Sequence, residues 1–138
     1  MSRRFLLDAG PAQDFLLLRD PVFSRARCEQ LSGAKIGICF PTLGEVRGGI
    51  EYSQTRDANL KRLGRTIGKL VLWPFDEKAA EEYGRIYAEL RRIGRPIQQI
   101  DMQVAAVART LGDCTVVTFD SDLSAVPGLS VTDWSESA

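Results

Sequence analysis

Cys114-Thr115-Val116-Val117-Thr118-Phe119-Asp120-Ser121-Asp122 is a short β-branched run that passes straight into two acids. Two other apolar runs do the same. Phe5-Leu6-Leu7 is followed by Asp8, and Ile36-Gly37-Ile38-Cys39 leads across Pro41 to Glu45. Runs this short, bounded by turn residues, read as buried strands, and the segments between them carry helical periodicity. Strands alternating with helices predict an α/β fold, a central parallel sheet wrapped by helices. The carboxyl ends of parallel strands share one sheet edge, where open α/β sheets bind ligands. A further acid, Asp101, lies inside the apolar helical pattern from Ile97 to Ala108. Acids converging on one edge repel one another unless something cationic holds them, and a hard divalent metal ion is the simplest candidate.

The rest of the chain fits this frame. Pro11 suits the first position of a helix that continues through Leu18 and breaks at Asp20-Pro21. Val22 to Leu31 predicts a second helix, and Lys35 to Cys39 a strand. Pro41-Thr42 opens a helix carrying Leu43, Glu45, Val46 and Ile50, weakened by Gly48-Gly49. Thr55 to Lys69 predicts a helix with basic outer faces: Arg56, Lys61, Arg62, Arg65 and Lys69. These two helices form an arm between the second and third strands. Leu70 to Trp73 predicts a strand, and Asp76 an N-cap for the helix that Gly94 ends. Gln98 to Leu111 predicts a helix stopped by Gly112. Thr115 to Thr118 predicts a strand, and Leu129 to Thr132 a final edge strand.

A chain of 138 residues predicts a single domain over 1–138 with a real core. Eighteen Lys and Arg balance eighteen Asp and Glu, so bulk charge does not announce a nucleic-acid binder. No Lys or Arg follows Arg109, whereas five acids do, which leaves Asp120 and Asp122 without local cationic partners. The absence of histidine excludes a histidine base, a Ser-His-Asp triad and a histidine metal ligand. Acid–base or metal chemistry must run mainly on carboxylates and water. Cys28, Cys39 and Cys114 have no CxxC spacing, so neither a zinc site nor a full disulfide set is indicated. Reduced thiols, and the absence of a transmembrane-length apolar stretch or a signal-peptide pattern after Met1-Ser2-Arg3-Arg4, fit a cytoplasmic protein that does not enter the membrane.

Each acid also has a bland reading. Asp8 can cap the helix begun at Pro11. Glu45 can sit on a surface in the first turns of its helix. Asp120 and Asp122 can cap a short helix from Ser121 to Ala125. Asp101 can pair with Arg95 or Arg109, or cap its own helix. Taken together, these readings need an acid at every strand end for unrelated reasons. Mg²⁺ or Mn²⁺ held by a few carboxylates is the more economical account, with a phosphodiester as natural substrate. Arg and Lys would steer such a polyanion, either on the basic arm or at Arg91, Arg92 and Arg95; the alternative for both is a solvated helix face. Trp73 and Phe75 read as packing residues rather than base-stacking platforms.

The constellation resembles the PIN domain, specifically the VapC toxins of bacterial VapBC toxin–antitoxin pairs. The likeness is carried by Phe5-Leu6-Leu7-Asp8; by Gly44-Glu45; by Gly94-Arg95-Pro96-Ile97 running to Asp101 and Ala105-Ala106; and by Thr118-Phe119-Asp120-Ser121-Asp122 followed by Val126-Pro127-Gly128-Leu129. The resemblance implies a PIN-like sheet of about four to five strands. It implies a Mg²⁺- or Mn²⁺-dependent endoribonuclease acting on tRNA, rRNA or mRNA. Asp8, Glu45, Asp101 and Asp120 match the metal-binding acids, and Asp122 the acid that follows. The catalytic set so implied is Asp8, Glu45, Asp101, Asp120 and Asp122, with Glu45 orienting a water or holding a second metal. Such toxins dimerise and are silenced by a VapB-like antitoxin whose C-terminal segment occupies or borders the acidic groove. Two departures stand out. Ala9-Gly10 replaces the hydroxyl residue and Asn or Ser that many relatives carry after the first Asp, and the motif is one residue shorter between Asp120 and Asp122. The alternatives are an RNA-processing or structure-specific DNA nuclease, and a PIN-like module that binds RNA or protein without cutting.

Overall fold

Strands β1 (Arg4–Leu7), β2 (Lys35–Cys39), β3 (Val71–Trp73), β4 (Cys114–Val117) and β5 (Ser130–Thr132) form one parallel sheet in the order β3-β2-β1-β4-β5. This arrangement comes from a computed structural model that describes residues 3–136. Side chains alternate across the sheet, and both faces are buried. Phe5, Leu7, Ile36, Ile38 and Val117 face one core, and Leu6, Cys39 and Val116 face the other. That explains why the strands read as unbroken apolar runs rather than as alternating ones. Each fully buried Leu, Ile or Val contributes about 1.5–3 kcal/mol relative to exposure.

The first face is covered by α1 (Ala9–Leu16), α2 (Val22–Leu31), α3 (Phe40–Tyr52) and α4 (Arg56–Thr66). The second is covered by α5 (Glu77–Arg92) and α6 (Gln99–Leu111), whose buried Ile86, Leu90, Val104 and Ala108 meet over Leu6 and Val116. Asp76 caps α5, its side chain accepting from the Ala79 N–H at 3.0 Å. Gly112 ends α6 at φ +63°, a conformation that favours glycine. Gly37 is needed for a different reason: a Cβ there would collide with the Val71 carbonyl and the Trp73 ring. Despite Gly48-Gly49, α3 continues to Tyr52, because tertiary burial of Val46 and Ile50 outweighs the propensity cost.

Several boundaries differ from expectation. The basic helix is α-helical only to Thr66, after which Ile67–Lys69 tightens into a 3₁₀ turn. There the Thr66 hydroxyl donates to the Arg62 and Leu16 carbonyls, a side-chain competitor for the helix ladder. Helix α1 stops at Leu16, and Leu18 takes φ +61°. Strand β4 begins at Cys114, leaving Thr118 just past its end. Among the described residues no helix is long and apolar enough to cross a membrane.

The topology positions a cleft. From β1 the chain steps outward to β2 and β3, then crosses back to place β4 on the other side of β1. The β1/β4 boundary is therefore the switch point, where helices leave the sheet in opposite directions and a crevice opens at the carboxyl edge. Asp8 follows β1, and Thr118 to Asp122 follow β4.

Candidate active site

The sheet ladder runs one step past the strands into the crevice. The Asp8 N–H donates to the Val117 carbonyl at 2.9 Å, and the Thr118 N–H to the Thr132 carbonyl at 3.0 Å. Asp8 stands at the N-cap position of α1, yet its carboxylate makes no capping bond. It is held from across the sheet instead: the Thr118 hydroxyl donates to Asp8 Oδ2 at 2.9 Å. The same hydroxyl accepts from the Asp120 N–H at 3.1 Å, and Asp120 Oδ1 accepts from the Asp122 N–H at 2.9 Å. The capping reading of Asp120 thus holds for one oxygen. Oδ2 takes no hydrogen bond from the described residues.

Asp101 enters from the first turn of α6 and is buried, at 7% exposure. Neither predicted pairing forms. Arg95 Nη2 donates to Asp122 Oδ1 at 2.7 Å, while Arg109 donates to Glu89 and to the Pro127 carbonyl. Among the described residues no cation or hydrogen-bond donor meets the Asp101 carboxylate. Burial, and then the charges of Asp8, Asp120, Asp122 and Glu45, push its pKa from 3.8 to about 6. Glu45, on α3, is pushed up as well, first by desolvation and then by Asp8. The five predicted acids therefore share one electrostatic neighbourhood. Carboxylate oxygens of Asp101, Asp120 and Asp122 lie within 4.8 Å of one another. Asp8 and Glu45 stand outside that tight group. A recess of about 580 Å³ lined by Asp8, Gly10, Thr118, Phe119, Asp120 and Ser121 opens beside it.

The profile of the PIN domain matches residues 6–129, spanning every one of these acids. The chain belongs to the PIN domain family. It is 33% identical over 132 residues to the tRNA(fMet)-specific endonuclease VapC of Shigella flexneri, covering 96% of this chain and 98% of that one. The structure of DNA-bound VapBC from Salmonella typhimurium superposes with TM-score 0.82 at 29% identity, covering 97% of this chain and 99% of that one. VapBC2 from Rickettsia felis, bound to a promoter DNA fragment, gives TM-score 0.85 at 21% identity over 95% of this chain and 98% of that one, a likeness of fold.

This PIN domain presents an all-oxygen donor set, which suits a hard cation. Two oxygens on one Mg²⁺ sit at most about 4.2 Å apart, and oxygens of Asp101 and Asp120, within 4.8 Å of each other and of Asp122, lie close to that spacing. The unpaired, mutually repelling Asp101 is the chemical observation that fits a cation best.

Two residues of the site are not evident from the acids alone. Thr118 is 2% exposed and ties Asp8 to Asp120; a threonine placed immediately past an apolar strand and two residues before an acid is the available signal. Arg95 supplies Asp122 with a partner twenty-seven residues away, a contact no local pattern announces.

Proposed function

We propose that this protein is a metal-dependent endoribonuclease, the toxin of a toxin–antitoxin pair. The observation that carries the proposal is the group of Asp101, Asp120 and Asp122 carboxylates at the switch-point edge, with Asp8 and Glu45 near enough for their charges to act on Asp101. The end-to-end likeness to VapC endonucleases supports it. RNA is the proposed substrate, and Mg²⁺ or Mn²⁺ the proposed ion. Asp8, Asp101 and Asp120 would hold it, with Glu45 orienting a water or holding a second ion and Asp122 supporting the cluster. When bound, such an ion supplies Lewis-acid polarisation of the phosphodiester and activation of water. The chain's own residues do the rest. Thr118 fixes the Asp8 carboxylate toward the cleft and keeps Asp120 at the strand end. Asp101, ionised above about pH 6 and without a cationic partner among the described residues, would offer its carboxylate to the ion. Arg95 restrains Asp122.

The VapBC relatives pair a toxin with an antitoxin, and a VapB-like antitoxin is the proposed partner here, closing the same acidic groove. A homodimer is proposed as well; exposed Phe40 and Tyr52 at the two ends of α3 offer apolar surface for such contacts. Free Cys28, Cys39 and Cys114 support a reducing, cytoplasmic setting. The test is cleavage of RNA by the purified protein in Mg²⁺ or Mn²⁺, abolished by EDTA and by Asp8→Asn. Cutting that survives both treatments refutes the proposal, as does the absence of cutting in either ion.

A further inference from the structure

Phe119 separates Thr118 from Asp120, yet the residue is 43% exposed. The aromatics ahead of α5 behave differently: Trp73 and Phe75 are partly buried against the second core. A lone exposed aromatic is ordinary on a protein surface. The seat of this one is not. A Cβ at Gly10 would lie 2.8 Å from Phe119 Cδ2 and 3.1 Å from Cε2, so the ring rests directly on the backbone of the first turn of α1. Any side chain at position 10 would have to move the ring, and the bare Gly10 sets where it stands. From that seat it forms one wall of the recess shared with Asp8 and Asp120. It also borders a second recess, of about 290 Å³, with Ser124, Thr132 and Asp133.

Carboxylates can accept from a base edge but offer nothing to its π-face, and phosphates cannot stack. A partly exposed ring seated on backbone beside an acidic cluster is a platform for a nucleobase π-face. We propose that Phe119 is a specificity-determining residue that stacks the nucleobase next to the phosphate brought to the acidic cluster, an assignment that rests on the ribonuclease reading above. The chemistry fits single-stranded or looped RNA, whose bases are unstacked and available.

The test compares two fluorescein-labelled dodecamers of equal charge, an oligoadenylate and a tetrahydrofuran abasic strand, binding in Mg²⁺ to full-length Asp8→Asn protein. The base-bearing strand should bind more tightly. Adding Phe119→Ala should remove on the order of tenfold of that preference, leaving abasic binding unchanged. Phe119→Trp should restore the preference. Gly10→Ala, which helix propensity favours but which displaces the ring, should weaken it. An unchanged preference in Phe119→Ala overturns the proposal, as do equal losses on both strands or no preference in the parent.

A second arm keeps Asp8 and sequences the ends cut from randomised RNA. Phe119→Ala should flatten the bias at one nucleotide flanking the cut. Cutting with unchanged bias and unchanged strand preference removes the platform and leaves the ribonuclease standing. A Phe119-dependent strand preference without any cutting does the reverse.

Discussion

Asp101→Asn is the substitution that best separates a metal site from a structural one. The change is nearly isosteric and removes one charge from a cleft where four other acids raise its cost. In the unfolded chain the carboxyl titrates at its ordinary 3.8, and in the folded protein at about 6. Between those values the folded state holds a proton that the unfolded state has lost, so raising the pH costs stability, and the whole penalty is in place above pH 6. A displacement from 3.8 to about 6 corresponds to about 3 kcal/mol at most. Water in the open cleft reduces this, so the variant should gain about 1–3 kcal/mol at pH 7.5 in EDTA. For a domain of this size that raises Tm by about 3–10 °C. The gain should shrink as pH falls below 6 and vanish below about pH 3, where the wild-type carboxyl is protonated in both states. With Mg²⁺ or Mn²⁺ present, wild type should rise in Tm while the variant does not, and the variant should cut no RNA. Urea melts in EDTA at both pH values read the stability directly. A variant destabilised by several kcal/mol in EDTA at pH 7.5 would refute the reasoning, because only a carboxylate holding a buried partner behaves that way.

Millimolar Mg²⁺ or Mn²⁺ should stabilise the fold by mass action, by about 2.7 kcal/mol at a hundredfold excess over Kd, and so raise Tm. That gain should shrink as pH falls through about 6, where Asp101 takes up its proton; melts at pH 7.5 and 5 with equal metal check it. Thr118→Val removes the donor to Asp8 and the acceptor for the Asp120 N–H. It should cost about 1–3 kcal/mol in denaturant melts and about ten- to a hundredfold in cleavage rate, as losses of residues that orient metal ligands do. Neutralising Arg62, Arg65 and Lys69 together should weaken RNA binding by Asp8→Asn protein and lower the slope of log affinity against log salt by up to about 2, with turnover at saturating RNA little changed. Coincident salt-titration lines for the two proteins would assign these side chains to a solvated face.

The fold was legible because the inner strands β1 and β2 are buried on both sides. Phe5-Leu6-Leu7 and Lys35 to Cys39 have no polar interruption past their first residue, and only a parallel sheet covered by helices accommodates that. The stops were legible where chemistry dictates them, as at Gly112 and Asp76. Ends decided by tertiary contact were not. Nothing near Thr66 in sequence announces that its hydroxyl bonds to the Leu16 carbonyl fifty residues away. The site divides in the same way. As candidates, Asp8, Glu45, Asp120 and Asp122 are visible because charge following an apolar run is conspicuous, and Asp101 because it interrupts an apolar helical stripe. Their partners are not, since Arg95 finds Asp122 only through the path of the loop ahead of α6.

The central hydrogen bond of the site is a consequence of the core. Leu7 lies opposite Val117, and both face the first core; Leu6 lies opposite Val116, and both face the second. Sliding β1 by one residue against β4 would set residues of opposite faces side by side and turn one strand's apolar set out of its core, which burial on both sides forbids. With that register set, the next step along the ladder brings Asp8 beside Thr118, and the 2.9 Å bond between them follows. The unbroken apolar runs reveal where each strand ends but not which residue of a neighbouring strand stands beside it. The acids could therefore be found from the pattern, while the threonine that aims one of them emerges only when the two strands are laid side by side.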